Sequence, residues 1–141
     1  MTTTHDEPVA ELSAEECWEL LSLEEFGRLA YRLVDEVHLV PINYLADAGV
    51  LLFRTASGNK LLAAALHSDV AFEIDWHDDR AAWSVVVRGR LRRLPEDEVH
   101  RVEGRLHEPW VPALRYDVVE VVPNSVSGRR FRLRGSGPGS E

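Results

Sequence analysis

The chain has 141 residues, a hydrophobic fraction of 45% and a formal net charge of -8, which suits one globular domain able to bury about two thirds of its unfolded surface. That acidic balance is a poor electrostatic footprint for nucleic acid or an anionic membrane. The single cysteine, Cys17, excludes an intrachain disulfide and a cysteine-rich zinc site, and predicts a reducing, cytoplasmic setting.

The chain starts MTTTHDEPVAE, without the basic and apolar regions of a signal peptide, and no apolar run approaches the roughly 18 residues of a membrane span. Residues 1–11 and 135–141, the latter reading GSGPGSE, are predicted mobile tails around one domain over 12–134. Ser13 with Glu16 forms a capping box ahead of Cys17, Trp18, Leu20 and Leu21. Ser22 with Glu25 repeats the signal ahead of Phe26, so two short helices closing at Gly27 are expected. LAYRLV, HLVPINYLA and GVLLFRTA then read as three antiparallel strands separated by turn residues. Asn59 to His67 has helical composition, Val70 to Trp76 alternates as a strand, and Trp83 to Leu94 is a long strand with Arg88, Arg90 and Arg92 on one face. Pro95 opens an acidic helix to about Leu106, and DVVEVV and SVSGRRFRL read as two further strands. Six or more closely spaced strands with few helices predict a mainly β chain, a closed barrel with short peripheral helices.

The stretch FRTASGNKLLAAAL, Phe53 to Leu66, carries the most chemistry. It holds Lys60, the only lysine among the 16 lysines and arginines, and crowds Arg54, Thr55, Ser57 and Asn59 where a strand meets a helix. A loop that opens a helix presents unpaired N–H groups and the positive end of the helix dipole. With Arg54 as a planar fork and Lys60 as a point charge, the stretch is suited to a phosphate dianion. The plainer alternative is a solvated arginine followed by a capped helix. A Walker A loop is set aside, because Gly58, Asn59 and Lys60 have no upstream glycine at the spacing that motif requires.

From GRLAYRLVDEVHLVPINYLADAGVLLFRTASGNKLLAAALHSDVAFEID through WSVVVRG and EPWVP to SVSGRRF, the chain resembles the pyridoxamine 5'-phosphate oxidase-like family of flavin-binding split barrels. The resemblance spans about Leu12 to Leu133 and rests on the order and spacing of several motifs. It implies a homodimeric split β-barrel that holds FMN, or in some branches a deazaflavin coenzyme, at the dimer interface. Carried over by position, it places Val40, Pro41, Ile42 and Asn43 beside the flavin ring. Arg54 and Thr55 fall near the phosphate, where Ser57 adds a short donor read from the loop itself, with Asn59 and Lys60 where the best-known oxidases carry a basic pair. Asn59 departs from that pair, since an arginine usually stands there. Ser84, preceded by Trp83, falls where the oxidases place a glutamine that reaches the flavin, and Trp110 where a late tryptophan covers the ring. The end, SVSGRRFRLRGSG, lacks the histidine of the oxidases' substrate clamp, although Arg129 and Arg130 are present. The resemblance is therefore closer to the actinobacterial-type branch. It implies an FMN-dependent oxidoreductase acting on a small-molecule substrate, or alternatively a deazaflavin-dependent reductase or a non-catalytic flavin carrier or sensor.

Other signals yield to simpler readings. His77, Asp78 and Asp79 are adjacent on a turn and do not converge on a metal ion. Ser84 has no recognisable base motif for nucleophilic catalysis, and no catalytic residue is assigned. Arg88, Arg90, Arg92 and Arg93 are expected to pair with the acidic helix after Pro95 rather than with nucleic acid.

Overall fold

A computed structural model describes residues 8–66, 68–108 and 112–133. The elements in chain order are β1 (Val9–Leu12), α1 (Ala14–Leu23), β2 (Phe26–Leu33), β3 (Glu36–Asn43), β4 (Leu45–Asp47), β5 (Val50–Ala56), α2 (Lys60–Ala65), β6 (Asp69–His77), β7 (Ala81–Arg93), α3 (Glu96–Val102), a 3-10 turn (Glu103–Arg105) and β8 (Tyr116–Arg132). Among the described residues the strands form one antiparallel sheet in the order β3-β2-β6-β7-β8-β5-β4, with β1 added to β8. This is the mainly β split barrel expected from the resemblance, with helices at its periphery. It is not the closed barrel expected from strand count. β3 and β4 end the path and no ladder joins them, so a seam remains.

The period-2 pattern explains which face turns inward. Leu29 and Tyr31 of β2, Phe72 and Ile74 of β6, Val85 and Val87 of β7, and Val119 and Val121 of β8 are all buried in one cluster with Leu51 and Phe53 of β5. Helix α1 plugs one end through Cys17 and Leu21, and burial pushes the Cys17 thiol upward in pKa. Gly128 permits that approach. A Cβ there would lie 2.8 Å from the Cys17 sulfur, inside any real contact distance.

Several further expectations differ from the structure. Val9, Ala10 and Glu11, placed in the N-terminal tail by composition, are strand residues paired with Phe131, Arg130 and Arg129, because β8 offers them a free edge. The capping box at Ser13 forms, but the second one at Ser22 does not. Ser22 Oγ instead donates to the Trp18 carbonyl at 2.8 Å, and the alternating burial of Gly27, Leu29 and Tyr31 draws Phe26–Leu33 into the sheet. Helix α2 closes at Ala65, and His67 lies outside the described residues, as do residues 1–7 and the C-terminal residues from 134. Finally, DVVEVV and SVSGRRFRL are one strand. Pro123 does not break it, because it pairs with Gly89 at a register shift where Asn124 is extra. That bulge tolerates a residue without an N–H, and Gly89 has no Cβ to meet the Val122 carbonyl, which would stand 2.1 Å away.

The HLVPINYLA segment is also divided. Tyr44 interrupts it between β3 and β4 and is itself 1% exposed. Its hydroxyl donates to the Leu21 carbonyl at 2.7 Å, its N–H donates to the Glu25 carbonyl at 2.9 Å, and its ring packs edge-on against Phe72. Burial, then the Glu24 charge, raises the phenol's pKa and keeps it a neutral donor. β3 thus stops at Asn43, and the chain turns across α1 before β5 pairs with β8.

On the outer face, Arg28 Nη1 lies 3.1 Å from a Glu73 oxygen and 3.3 Å from an Asp75 oxygen. The arginine stripe of β7 is exposed as expected, but among the described residues only Arg92 of the stripe pairs with the acidic helix, with Glu98 of α3 at 2.6 Å and also with Glu120 at 3.1 Å, while Arg90 pairs with Asp69 of β6 and Arg93 with Asp117 of β8.

Two outcomes follow from these contacts. Tyr44→Phe leaves the Leu21 carbonyl without its buried donor and should cost about 1 to 3 kcal/mol in denaturant unfolding, with the strand content retained. Glu73 is pushed up to about 7 by burial first, then by a hydrogen bond that its protonated carboxyl donates to Asp75 and by the Asp75 charge, against the opposing pull of Arg28. A folded-state value above the ordinary 4.5 gives stability that is fully present below that value and is lost as pH rises through about 7. Glu73→Gln mimics the neutral acid. It should therefore gain on the wild type between pH 5 and pH 8, by about 1 kcal/mol or less after solvent screening. Thermal unfolding at the two pH values reads the difference, and a pH-independent difference contradicts it.

Candidate functional site

The seam is where the sheet's two ends face each other. β4 pairs only with Val50, Leu51 and Leu52 of β5, so from Phe53 to Ala56 the outer edge of β5 is left without a ladder. β3 is a terminal strand and pairs only with β2. Pro41 is at home there, since an edge strand has N–H groups to spare.

Between these edges lies a cleft of about 390 Å³, walled by Val40, Pro41 and Ile42 on β3 and by Phe53, Arg54, Thr55 and Ala56 on β5. Leu29 and Tyr31 of β2 form its floor, and Asn59 and Leu62 at the start of α2 close one side. Its volume falls in the lower part of the range for small-molecule sites, roughly 300–1,000 Å³. Most of the lining is apolar, with the polar groups gathered on the β5 side. A second, more open depression of about 440 Å³ lies on the outer face of the sheet and includes Ala30, Val37, Ala71, Arg88 and Ser125.

Arg54 is the cation of the cleft. Its side chain is 19% exposed, and both ends of the guanidinium are engaged: Nη1 with a Glu108 oxygen at 3.3 Å and Nη2 with the Glu103 carbonyl at 3.0 Å. The Glu108 carbonyl in turn accepts a hydrogen bond from Asn43 Nδ2 at 3.2 Å. One residue therefore reaches both sides of the seam. Thr55 Oγ1 accepts from Asn59 Nδ2 at 3.4 Å, and Asn59 Oδ1 accepts the Leu62 N–H at 3.0 Å as the N-cap of α2. The capped-helix reading of this loop is thus realised alongside the cleft, and part of the loop's donor capacity is already used.

The structure brings Val40, Pro41, Ile42, Arg54, Thr55 and Asn59 together as lining, and ties Asn43 to the cleft through Glu108. Ser57 turns the other way: its hydroxyl donates to Asp117 at 3.2 Å and its N–H to the Arg115 carbonyl. Lys60 is exposed at the first turn of α2 and is not among the lining residues. Trp83 and Ser84 lie on β7, opposite Arg130 and Arg129 of β8, and outside this cleft. Trp83 packs against the core. Trp110 lies outside the described residues. Asp78 is occupied in its turn, where it accepts the Arg80 and Ala81 N–H groups at 2.7 and 2.8 Å. These bonds hold its carboxyl below the usual range.

Sequence reading missed the cleft's apolar floor and the acidic partners of Arg54. Alternation in LAYRLV marks Leu29 and Tyr31 as inward, but only closure of the sheet puts them beneath β3 and β5. Glu108 carries no local signal, since it lies 54 residues from Arg54 in the chain.

Comparison with known proteins gives consistent relatives. The family model described as pyridoxamine 5'-phosphate oxidase matches residues 13–130. A Corynebacterium glutamicum structure described provisionally as a pyridoxamine 5'-phosphate oxidase is 40% identical, with a TM-score of 0.82 over 91% of this chain and 96% of that one. An FAD binding protein from Mycobacterium smegmatis is 38% identical, with a TM-score of 0.75 over 88% and 99%. An uncharacterised protein of Mycobacterium tuberculosis is 32% identical over 130 residues, covering 87% of this chain and 86% of its own.

Proposed function

The chain belongs to the pyridoxamine 5'-phosphate oxidase family, and from that premise we propose that its seam cleft binds a flavin nucleotide, with FMN the first candidate, in a flavin-dependent oxidoreductase acting on a small substrate. The observation that carries this reading is the division of the cleft, with an apolar wall at Val40, Pro41 and Ile42 facing a polar rim at Arg54, Thr55 and Asn59. That donor set fits the group: a flat aromatic ring suits the β3 wall and floor, and a phosphate suits the guanidinium. FAD is the second candidate, favoured by the Mycobacterium smegmatis relative described as binding it. A deazaflavin coenzyme and a role as carrier or sensor are the remaining alternatives.

A bound flavin supplies hydride or electron transfer at its ring. In this reading the protein's own part is to hold and orient the ring on Val40 and Ile42, to anchor the phosphate on Arg54, and to exclude water with Leu29, Tyr31 and Phe53. Lys60 acts as an outlying charge. A cleft of this size, open along a seam, needs a second wall to enclose a flavin, so the reading includes a homodimer. Trp83 and Ser84 then serve the flavin only if a second copy presents them, because β7 is separated from the cleft by other strands in its own chain.

Titration with FMN, FAD and riboflavin tests the reading, with spectra to detect flavin carried through purification. FMN should bind more tightly than riboflavin. Arg54→Ala should weaken FMN by about 1.5 kcal/mol, at the low end for a hydrogen bond to a charged group, while riboflavin changes little. Lys60→Ala should cost less than about 1 kcal/mol, as an exposed charge does. Equal losses for both ligands would assign Arg54 to the fold rather than the phosphate. Sedimentation should show a dimer, and a monomer that binds flavin stoichiometrically contradicts the two-walled site. Turnover with a panel of reductants separates an enzyme from a carrier.

A further inference from the structure

Arg54 already has an anion. We propose that Glu108 is a specificity-determining residue of the cleft: its carboxylate holds the position on Arg54 that a ligand's phosphate needs, and must be displaced for the phosphate to bind. The inference rests on the reading of the cleft as a flavin-nucleotide site and adds a residue that opposes one part of that ligand.

Three observations carry it. Glu108 Oε2 stands 3.3 Å from Arg54 Nη1, and the Glu103 carbonyl takes Nη2 at 3.0 Å, so the planar fork that grips phosphate through two parallel bonds is engaged at both ends. The Glu108 side chain is 85% exposed whereas that of Arg54 is 19% exposed, so the carboxylate is free to leave for water and the guanidinium is not. The Glu108 backbone is held by Asn43 at 3.2 Å, so the displaced carboxylate stays within reach of Arg54 and goes on competing with the phosphate for it. The apolar walls are untouched by this exchange. Glu108 thus lowers affinity for the phosphate-bearing form of a ligand while leaving its ring unaffected, which narrows the gap between a flavin and its phosphate ester.

The test is Glu108→Gln, which keeps the shape and a hydrogen-bond acceptor for Arg54 but removes the charge. FMN should bind the variant about three- to fivefold more tightly, the scale of an exposed ion pair, with riboflavin unchanged. In the Arg54→Ala background the same substitution should give no gain. An unchanged or weaker FMN affinity, or an equal shift for riboflavin, overturns the proposal. Inorganic pyrophosphate, titrated calorimetrically into wild type and Glu108→Gln, separates this proposal from the flavin reading. If neither protein binds any flavin, that reading fails, while stronger pyrophosphate binding by the variant still supports competition at Arg54 and the absence of any enhancement overturns it.

Discussion

Tyr44 ties the corner between two halves of the sheet to the end of helix α1. Its hydroxyl reaches Leu21 in the last turn of that helix and its N–H reaches Glu25 just beyond it, while its ring packs on Phe72 in the centre of the barrel. A buried phenol with a satisfied donor combines apolar packing with direction. The direction matters here. Because the chain is held at Tyr44, β3 ends as a terminal strand and β5 is delivered to β8 on the far side, leaving the two strands to face each other without a ladder.

The cleft follows from that arrangement. In a closed barrel, Phe53 to Ala56 and Val40 to Ile42 would spend their backbone groups on each other. In the split barrel they present one apolar wall and one polar rim to a shared space. The short β4 contributes by covering β5 only as far as Leu52. The same seam is crossed by the segment after α3, through Glu103 and Glu108, so the cleft's cation is held among carboxylate and carbonyl oxygens even though the lining around it is apolar. Charge placement on the outer face is different in kind: Arg28 is shared between Glu73 and Asp75, and Arg92 between Glu98 and Glu120, exposed pairs that contribute little each.

The contrast between the legible and the illegible parts is physical. The capping box at Ser13, the alternation of β6 and β7 and the arginine stripe are signals written within a few residues, and each appears in the structure as expected. The failures occur where two local signals compete or where a distant element intervenes. Ser22 and Glu25 have the spacing of a helix start, yet burial of Gly27, Leu29 and Tyr31 against β6 outweighs it. Pro123 marks a break in any isolated strand, yet a bulge opposite Gly89 absorbs it. Among the described residues no helix is long and apolar enough to cross a membrane, and no group of three or more His, Cys, Asp or Glu residues gathers to hold a metal.

The sequence by itself determined the β-rich character, the inward and outward faces of its strands, and the concentration of Arg54, Thr55, Asn59 and Lys60 at one strand end, because side-chain alternation and local composition act over a few residues. Its motif order also pointed to the family. Only the tertiary structure decided that Arg54 and Asn59 line the cleft while Ser57 turns to Asp117 and Lys60 stays outside. It alone also brought Glu108 to Arg54 across 54 positions of chain. Such meetings depend on how the sheet curls and where it fails to close, and no stretch of sequence shorter than the barrel carries that information.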